Sequence, residues 1–237
     1  MFKSWRTKRK AARRRQDIAH KIDAFEKAYP EIAWQPFREV SDFFADKSIS
    51  ALEEQAFLYR LASGLPADAQ VIEIGSWIGH GTSTLAAALK GPNARVFAVD
   101  AFACWSDTPG ENAHYTQLLN RISPGRSQRE IFDSHLAHLG LQKRVQTVVG
   151  DSRQAAPHVP LSPGSADLIF VDGGHDLDTV RHDTTNFLPF VKPGGVAAFH
   201  DFSSLCGVPT ALWEAIQRQS FGDLIGIHNT LIAFRTR

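Results

Sequence analysis

Two short stretches place ionisable side chains where they can do chemistry. "VDGGHD" (171–176) carries Asp172 and His175, and "FHD" (199–201) carries His200 and Asp201. A histidine titrates near neutral pH, so His175 or His200 can take the proton of a reacting hydroxyl. The same residue types hold divalent cations, which can polarise a hydroxyl. An imidazole among carboxylates suits Mn²⁺, Fe²⁺ or Zn²⁺ better than Mg²⁺. Both stretches close apolar runs that read as strands. Neighbouring strand ends of a parallel sheet lie about 5 Å apart, which would bring these side chains together. Asp176, Asp178, His182 and Asp183 follow at positions that read as the solvated face of a helix.

A third stretch, "VIEIGSWIGHGTSTLAAAL" (71–89), reads as a buried strand, a glycine-rich turn and a helix. The spacing Gly75-x-x-x-Gly79-x-Gly81 fits neither the dinucleotide pattern G-x-G-x-x-G nor the phosphate loop, which needs a lysine after its glycines. Glu73 precedes the turn. A carboxylate there repels a pyrophosphate and attracts an ammonium or sulfonium group. The next strand ends in Asp100, 25 residues after Gly75, where an acid accepts hydrogen bonds from ribose hydroxyls. "VVGDS" then places Asp151 and Ser152 where an adenine edge can be read. The candidate cofactor contacts are Glu73, Gly75, Ser76, Trp77, Gly79, Gly81, Asp100, Ala101, Asp151, Ser152 and Asp172.

The elements that must position these residues alternate. Strand-like runs occur at "QVIEIG", "RVFAVD", "VQTVVG", "ADLIFVD" and "GVAAFHD", with helices expected at 81–90, 111–121, 128–139, 176–188 and 208–219. Such alternation predicts βαβ units and a mainly parallel sheet. Ser50 with Glu53 reads as a capping box opening an earlier helix, and "KPGG" (192–195) as a turn before a strand. "DLIGIHNTLIAFRT" reads as two strands joined at His228-Asn229, an antiparallel edge. Residues 102–130 form a long insertion over the strand ends, extending as a lid to about 140, in which Trp105, Asp107, His114 and Tyr115 can meet an acceptor. His80 is either a helix-start or a pocket residue.

The formal net charge of +1 over 237 residues hides an asymmetry, because residues 1–30 hold ten Lys/Arg against three acids. "MFKSWRTKRKAARRR" has eight basic residues and no acid. This arm predicts contact with an anionic membrane surface or a nucleic acid. Behind it Ile18, Ile22, Phe25 and Tyr29 recur at helical spacing. We expect residues 1–45 to be a basic N-terminal helical extension and 46–237 the main domain. Two cysteines without CxxC spacing, no apolar run of membrane-spanning length and no secretory leader predict a cytoplasmic protein, peripheral at the inner membrane surface if the arm engages lipid. A homo-oligomer is compatible with all of this.

"VIEIGSWIGHGTSTLAAAL", "VFAVDAF", "VVGDS" and "LIFVDGGHDLDTVRHDTTNFLPFVKPGGVAAFHDF" together resemble the class I S-adenosylmethionine-dependent methyltransferases, most closely methyltransferase family 24. The resemblance runs from about residue 50 to the C-terminus, is weak between 105 and 140 and is absent in the arm. It implies a Rossmann-like, doubly wound seven-stranded sheet with an antiparallel last strand. It implies that Glu73, Gly75 and Gly79 line the methionine end, Asp100 the ribose, and Asp151 with Ser152 the adenine. The catechol-type metal-dependent enzymes are similar at the strand ends: their Mg²⁺ ligands match Asp172, His200 and Asp201, and their catalytic lysine falls at His175. The implied activity is O-methylation of a small-molecule or sugar (glycan) hydroxyl, with S-adenosylmethionine as donor and a divalent cation, Mg²⁺ or Mn²⁺ in kind, as helper. Two alternatives remain open at this point: an RNA methyltransferase anchored by the arm, and a non-catalytic module that binds the cofactor or a partner.

Overall fold

The computed structural model describes residues 2–47, 49–103, 111–203, 207–218 and 220–237, with side chains from 13 onward except at 111 and 112. Cys104, Trp105, Asp107 and Cys206 lie outside the described residues. The chain runs α1 (Phe2–Ala28), α2 (Gln35–Phe44), α3 (Leu52–Ser63), β1 (Gln70–Ile74), α4 (His80–Ala88), β2 (Arg95–Asp100), α5 (Glu111–Ile122), α6 (Gln128–His138), β3 (Val145–Val149), α7 (Ser152–Ala155), β4 (Ala166–Val171), α8 (Leu177–Phe187), β5 (Val191–Phe199), α9 (Gly207–Gln217), β6 (Phe221–His228) and β7 (Leu231–Thr236). The strands form one seven-stranded sheet in the order β3-β2-β1-β4-β5-β7-β6. β1 to β5 pair in parallel and β7 antiparallel to both neighbours. This is the α/β architecture expected from the sequence, with its switch point between β1 and β4.

Both faces of the sheet are covered, which explains the near-continuous apolar strands. Alternate residues serve alternate layers. Val71, Val96, Leu168, Val196 and Ala233 pack with Leu58 and Leu85 of α3 and α4. Ile72, Val99, Ile169, Val171 and Phe199 pack with Val180 and Phe187 of α8 and Ala211 of α9. The alternation sends Glu73 into the first layer, toward α4. The apolar stripe of α1 is real: Ile22 is buried in that layer, with Ile18, Phe25 and Tyr29 partly buried against it. Arg38 of α2 ties the helix down through Asp23 at 2.5 Å and Glu26 at 2.8 Å.

Three local expectations are corrected. The helix cap lies one residue later than Ser50–Glu53: Glu54 Oε2 accepts from the Ala51 N–H at 3.0 Å, and Ala51 precedes the first helical residue. "KPGG" belongs to β5, whose register against β4 shifts between Ala166 and Leu168. The glycines let the strand bulge there instead of turning. Asp183 is not on a solvated face. It is fully buried beside Val180, Thr184 and Phe187, the inner stripe of α8, whereas Asp178 and His182 are exposed as expected.

Candidate active site

The glycine turn folds around Asp100. Its Oδ2 accepts the N–H groups of Ser76 at 2.8 Å and Trp77 at 2.9 Å. Its Oδ1 accepts the Phe102 N–H at 2.6 Å and Gln128 Nε2 at 3.2 Å. Trp77 (φ 49°) and Phe102 (φ 51°) both adopt left-handed backbone, strained for bulky residues at about 1–3 kcal/mol each. The Asp100 carboxylate holds both in place. Gly75 (φ 84°) makes the close approach: a Cβ there would sit 2.0 Å from the Asp172 carbonyl oxygen. No side chain is accommodated, and this lets the β1 turn lie against the end of β4.

Glu73 lies beneath the turn, 1% exposed. Ser76 Oγ donates to it at 2.9 Å and Thr82 Oγ1 donates as well. Burial pushes its carboxyl up to about 8 despite these donors. The group therefore carries a proton at neutral pH, which weakens the simple attraction of a carboxylate for a sulfonium. Glu73, Ser76, Gly81 and His80 border a small cavity of about 40 Å³ that also touches Gly75, Trp77 and Asp172. His80 is the first residue of α4, stacked on Phe44 at 4.5 Å, and burial lowers its pKa to about 3. Gly79 lines neither cavity and instead lies against the ring of Phe132.

The main cleft, of about 380 Å³, opens at the carboxyl ends of β1, β2 and β4. Gly75, Trp77, Asp100, Ala101, Asp151, Ser152, Asp172, His175, His200 and Asp201 all line it, so one cleft collects residues separated by more than a hundred positions. Its volume suits a drug-sized ligand. Asp151 caps α7, accepting the Arg153 N–H at 3.0 Å, and pairs with the Arg153 guanidinium. The Trp77 indole Nε1 is buried with no partner among the described residues, a donor beside the cleft. Tyr115 packs on Trp77 at 4.8 Å and lines the cleft, while His114 is exposed. Sequence reasoning missed Gln128, Gly173, Thr179 and Asp176. Asp176 caps α8 through the Thr179 N–H at 2.9 Å and also lines the cleft.

At the far end His175 Nε2 stands 3.2 Å from Asp201 Oδ2. The loop carrying His175 is pinned from below by α9: a Cβ on Gly207 would lie 2.1 Å from the His175 carbonyl oxygen. Asp201 itself has left-handed backbone (φ 56°), which turns its carboxylate back toward both histidines. His200 is enclosed by acids. Its Nδ1 lies 3.1 Å from Asp172 Oδ1 and 3.0 Å from Asp201 Oδ2, and its Nε2 3.1 Å from Glu54 Oε2. Burial lowers the histidine's proton affinity, but Asp172, Asp201 and Glu54 raise it far above the ordinary value. An imidazole with both nitrogens facing carboxylates is a double donor, hence charged.

Both His200 nitrogens thus face carboxylates in this structure, and donor atoms of Asp172, His175 and Asp201 fall within 4.8 Å of one another. Glu54, which fixes His200, was not foreseen. It is 4% exposed and also accepts the N–H of Thr230 at 3.0 Å and its Oγ1 at 2.7 Å.

A doubly wound sheet with a glycine turn and strand-end acids around one cleft defines a Rossmann-like cofactor-binding enzyme. The family model for a methyltransferase domain, that of methyltransferase family 24, matches residues 72–202, and the chain belongs to that family. It is an S-adenosylmethionine-dependent methyltransferase. Among solved structures the chain is similar to the O-methyltransferase NovP (17% identity over 81% of this chain and 83% of that one, TM-score 0.60). It is similar to the O-methyltransferase TomG from Streptomyces achromogenes, solved with S-adenosylmethionine (20%, 86% and 90%, TM-score 0.58). It is also similar to the methyltransferase MycE of mycinamycin biosynthesis, solved with Mg, S-adenosylhomocysteine and mycinamycin VI (16%, 84% and 53%, TM-score 0.52). At these identities the likeness is one of fold. Among the described residues no helix is long and apolar enough to cross a membrane.

Proposed function

We propose that the protein methylates a hydroxyl of a small molecule or sugar. The observation that carries this reading is the His175–Asp201 pair at the cleft end. With its Nε2 3.2 Å from Asp201, the imidazole can take a proton from a reacting hydroxyl, and the fixed carboxylate stabilises the imidazolium formed when a proton arrives. Bound S-adenosylmethionine would supply an electrophilic methyl on a sulfonium centre. The chain's own contribution is positional. The glycine turn and Asp100 frame the sugar region, with ribose hydroxyls sharing or displacing the long Gln128 contact, and Asp151 with Ser152 border the base. The His200 imidazolium offsets part of the negative charge of Asp172, Asp201 and Glu54, which reduces the repulsion between the carboxylates beside His175.

A second mechanistic reading is favoured by the Asp172–His175–Asp201 cluster. These residues would hold a divalent cation that polarises the acceptor hydroxyl, a reading supported by the Mg in MycE. Retained activity in excess chelator decides for the base; loss restored by Mn²⁺ decides for the cation.

The cofactor assignment has a direct check. S-adenosylhomocysteine at a hundred times its Kd should stabilise the protein by about 2.7 kcal/mol, read as a rise in melting temperature, whereas NAD should give none. Stabilisation by NAD alone would sink the reading.

The basic arm is assigned to an anionic membrane surface. Phe2 and Trp5 among its eight basic residues favour lipid over nucleic acid, and α1 is fastened to the body by Lys21–Glu53 at 2.6 Å as well as by Arg38. Removal of residues 1–15 should abolish sedimentation with phosphatidylglycerol vesicles at low salt and leave S-adenosylhomocysteine binding intact. Unchanged sedimentation would show that the arm is a solvated tail.

A further inference from the structure

β6 closes the sheet at one edge. It pairs with β7 on one side and with no described strand on the other. A free row of N–H and C=O groups recruits another strand, so exposed edges are usually guarded by charge. The sequence of β6, FGDLIGIH, is apolar for such a place. Leu224 is 53% exposed and Ile227 is exposed as well. They stand three positions apart, which in a regular strand puts side chains on opposite faces. The register shift between Leu224 and Gly226 absorbs the extra residue. Leu224 pairs with Phe234 and Ile227 with Ile232, and both of these belong to the layer of α8 and α9. The two exposed side chains therefore emerge on that one face.

α9 adds to the same face. Val208, Ala211, Leu212 and Ala215 pack with Phe199, Ile232, Phe234 and Phe221, so the helix lies over β5, β7 and β6. Glu214 turns toward α8, where Arg181 holds it at 2.5 Å. Ile216 lies about 200° round the helix from Glu214 and so points the other way, toward the β6 edge. Trp213, three residues earlier, stands beside it. Ile216 is exposed and Trp213 is 62% exposed. Leu224, Ile227, Trp213 and Ile216 thus leave one corner of the molecule apolar and uncovered, the mark of an interaction surface. Lipid does not fit as its cover. α1 packs in the opposite layer, so a flat membrane that meets the basic arm does not reach this corner.

We propose that this corner receives a second copy of the chain, with β6 joined antiparallel to β6 across a two-fold axis perpendicular to the sheet. The occupant follows from self-complementarity, which such a two-fold requires. An axis between Ile225 and Gly226 sets Leu224 of each copy opposite Ile227 of the other, apolar on apolar. The same register sets Asp223 opposite His228. Asp223 is exposed and, directly preceding Leu224, turns to the other face of the strand. His228 occupies that other face too, paired with Leu231 and packed on Phe57 at 4.3 Å. The Arg60 guanidinium lies over the same Phe57 ring at 5.1 Å. Each copy therefore brings an acid to the basic corner of the other. Trp213 and Ile216 of the two α9 helices close over the apolar side of the seam. The two seven-stranded sheets become one, with both α1 helices on a single face of it.

Analytical ultracentrifugation of the full chain over a wide range of concentration tests this. Wild type is expected as a reversible dimer. Ile227→Lys on β6 and Trp213→Glu on α9 should each raise the dissociation constant by more than about thirtyfold, the scale of an interface hot spot. Both replace exposed side chains, and circular dichroism checks that both variants stay folded. Val149→Lys, also at an exposed position but on β3 at the opposite edge of the sheet, should leave the dimer intact. Amide hydrogen exchange along β6 should slow as wild type associates, and should not slow in Ile227→Lys. A wild type that stays monomeric throughout overturns the proposal. So does a dimer that survives Ile227→Lys and Trp213→Glu, a dimer lost in Val149→Lys, or exchange along β6 that association leaves unchanged.

Discussion

His175→Ala should reduce kcat by about 10²–10⁴-fold, the usual contribution of a positioned acid–base group, while S-adenosylhomocysteine binds as before. The two halves of this expectation come from different parts of the cleft. In the proposed arrangement the cofactor side is framed by Asp100, Gly75 and Ser152. The proposed acceptor side depends on the His175–Asp201 pair at 3.2 Å. Asp201→Asn is the companion variant. Its neutral amide cannot stabilise the imidazolium as the carboxylate does. A large loss in both variants, with cofactor affinity intact in both, is the expected pattern. Full activity in His175→Ala would remove the base from the mechanism and leave positioning alone. Single-turnover rates with saturating cofactor make the distinction, since they exclude product release.

The second large effect is on stability. Glu54→Ala should cost about 3–5 kcal/mol, as expected when one partner of a buried ion pair is removed. The loss falls on three groups at once: the Nε2–H of His200 and both donors of Thr230 lose their acceptor. Chemical denaturation measures it directly. The pH dependence has a definite sign. Burial raises the Glu54 carboxyl, but hydrogen bonds from His200 and Thr230 overcome burial and hold it down at about 2, against an ordinary 4.5. A depressed carboxylate stabilises the folded state fully above its unfolded value and loses that contribution as pH falls through the folded one. Wild type should therefore lose part of its stability between pH 4.5 and 2, and Glu54→Gln should lack that portion of the acid limb. Identical acid limbs in the two proteins would show that Glu54 does not carry the charge assigned to it.

Much of this protein was legible before any coordinates. The apolar runs at 70–74, 95–100, 145–149 and 166–171 coincide with strands, because a strand covered on both faces has little room for polar residues. The gathering of Asp100, Asp151 and Asp172 in one cleft was also legible, since they sit at strand ends and strand ends share one edge of the sheet. Even the burial of Asp183 had a signal that went unused. It stands three residues after Val180 and four before Phe187, the spacing of an inner helical stripe, and was misread because an acid is rarely buried.

Local pattern and composition thus establish which backbone segments form, the order in which strands and helices alternate, and the edge where polar residues gather. They are encoded by neighbours in the chain, through side-chain periodicity and turn chemistry. What they leave open is the role of each polar residue once gathered. His175 and His200 both follow strand ends and both line the cleft, yet His175 Nε2 faces Asp201 while His200 is locked among Asp172, Asp201 and Glu54. That difference comes from Glu54, 146 positions from His200, and is reinforced by Thr230, 176 positions from Glu54. Charge and hydrogen bonding act through a few ångströms of space, so the different surroundings of the two histidines were decided only when folding brought α3 and the β6–β7 turn to the end of β5.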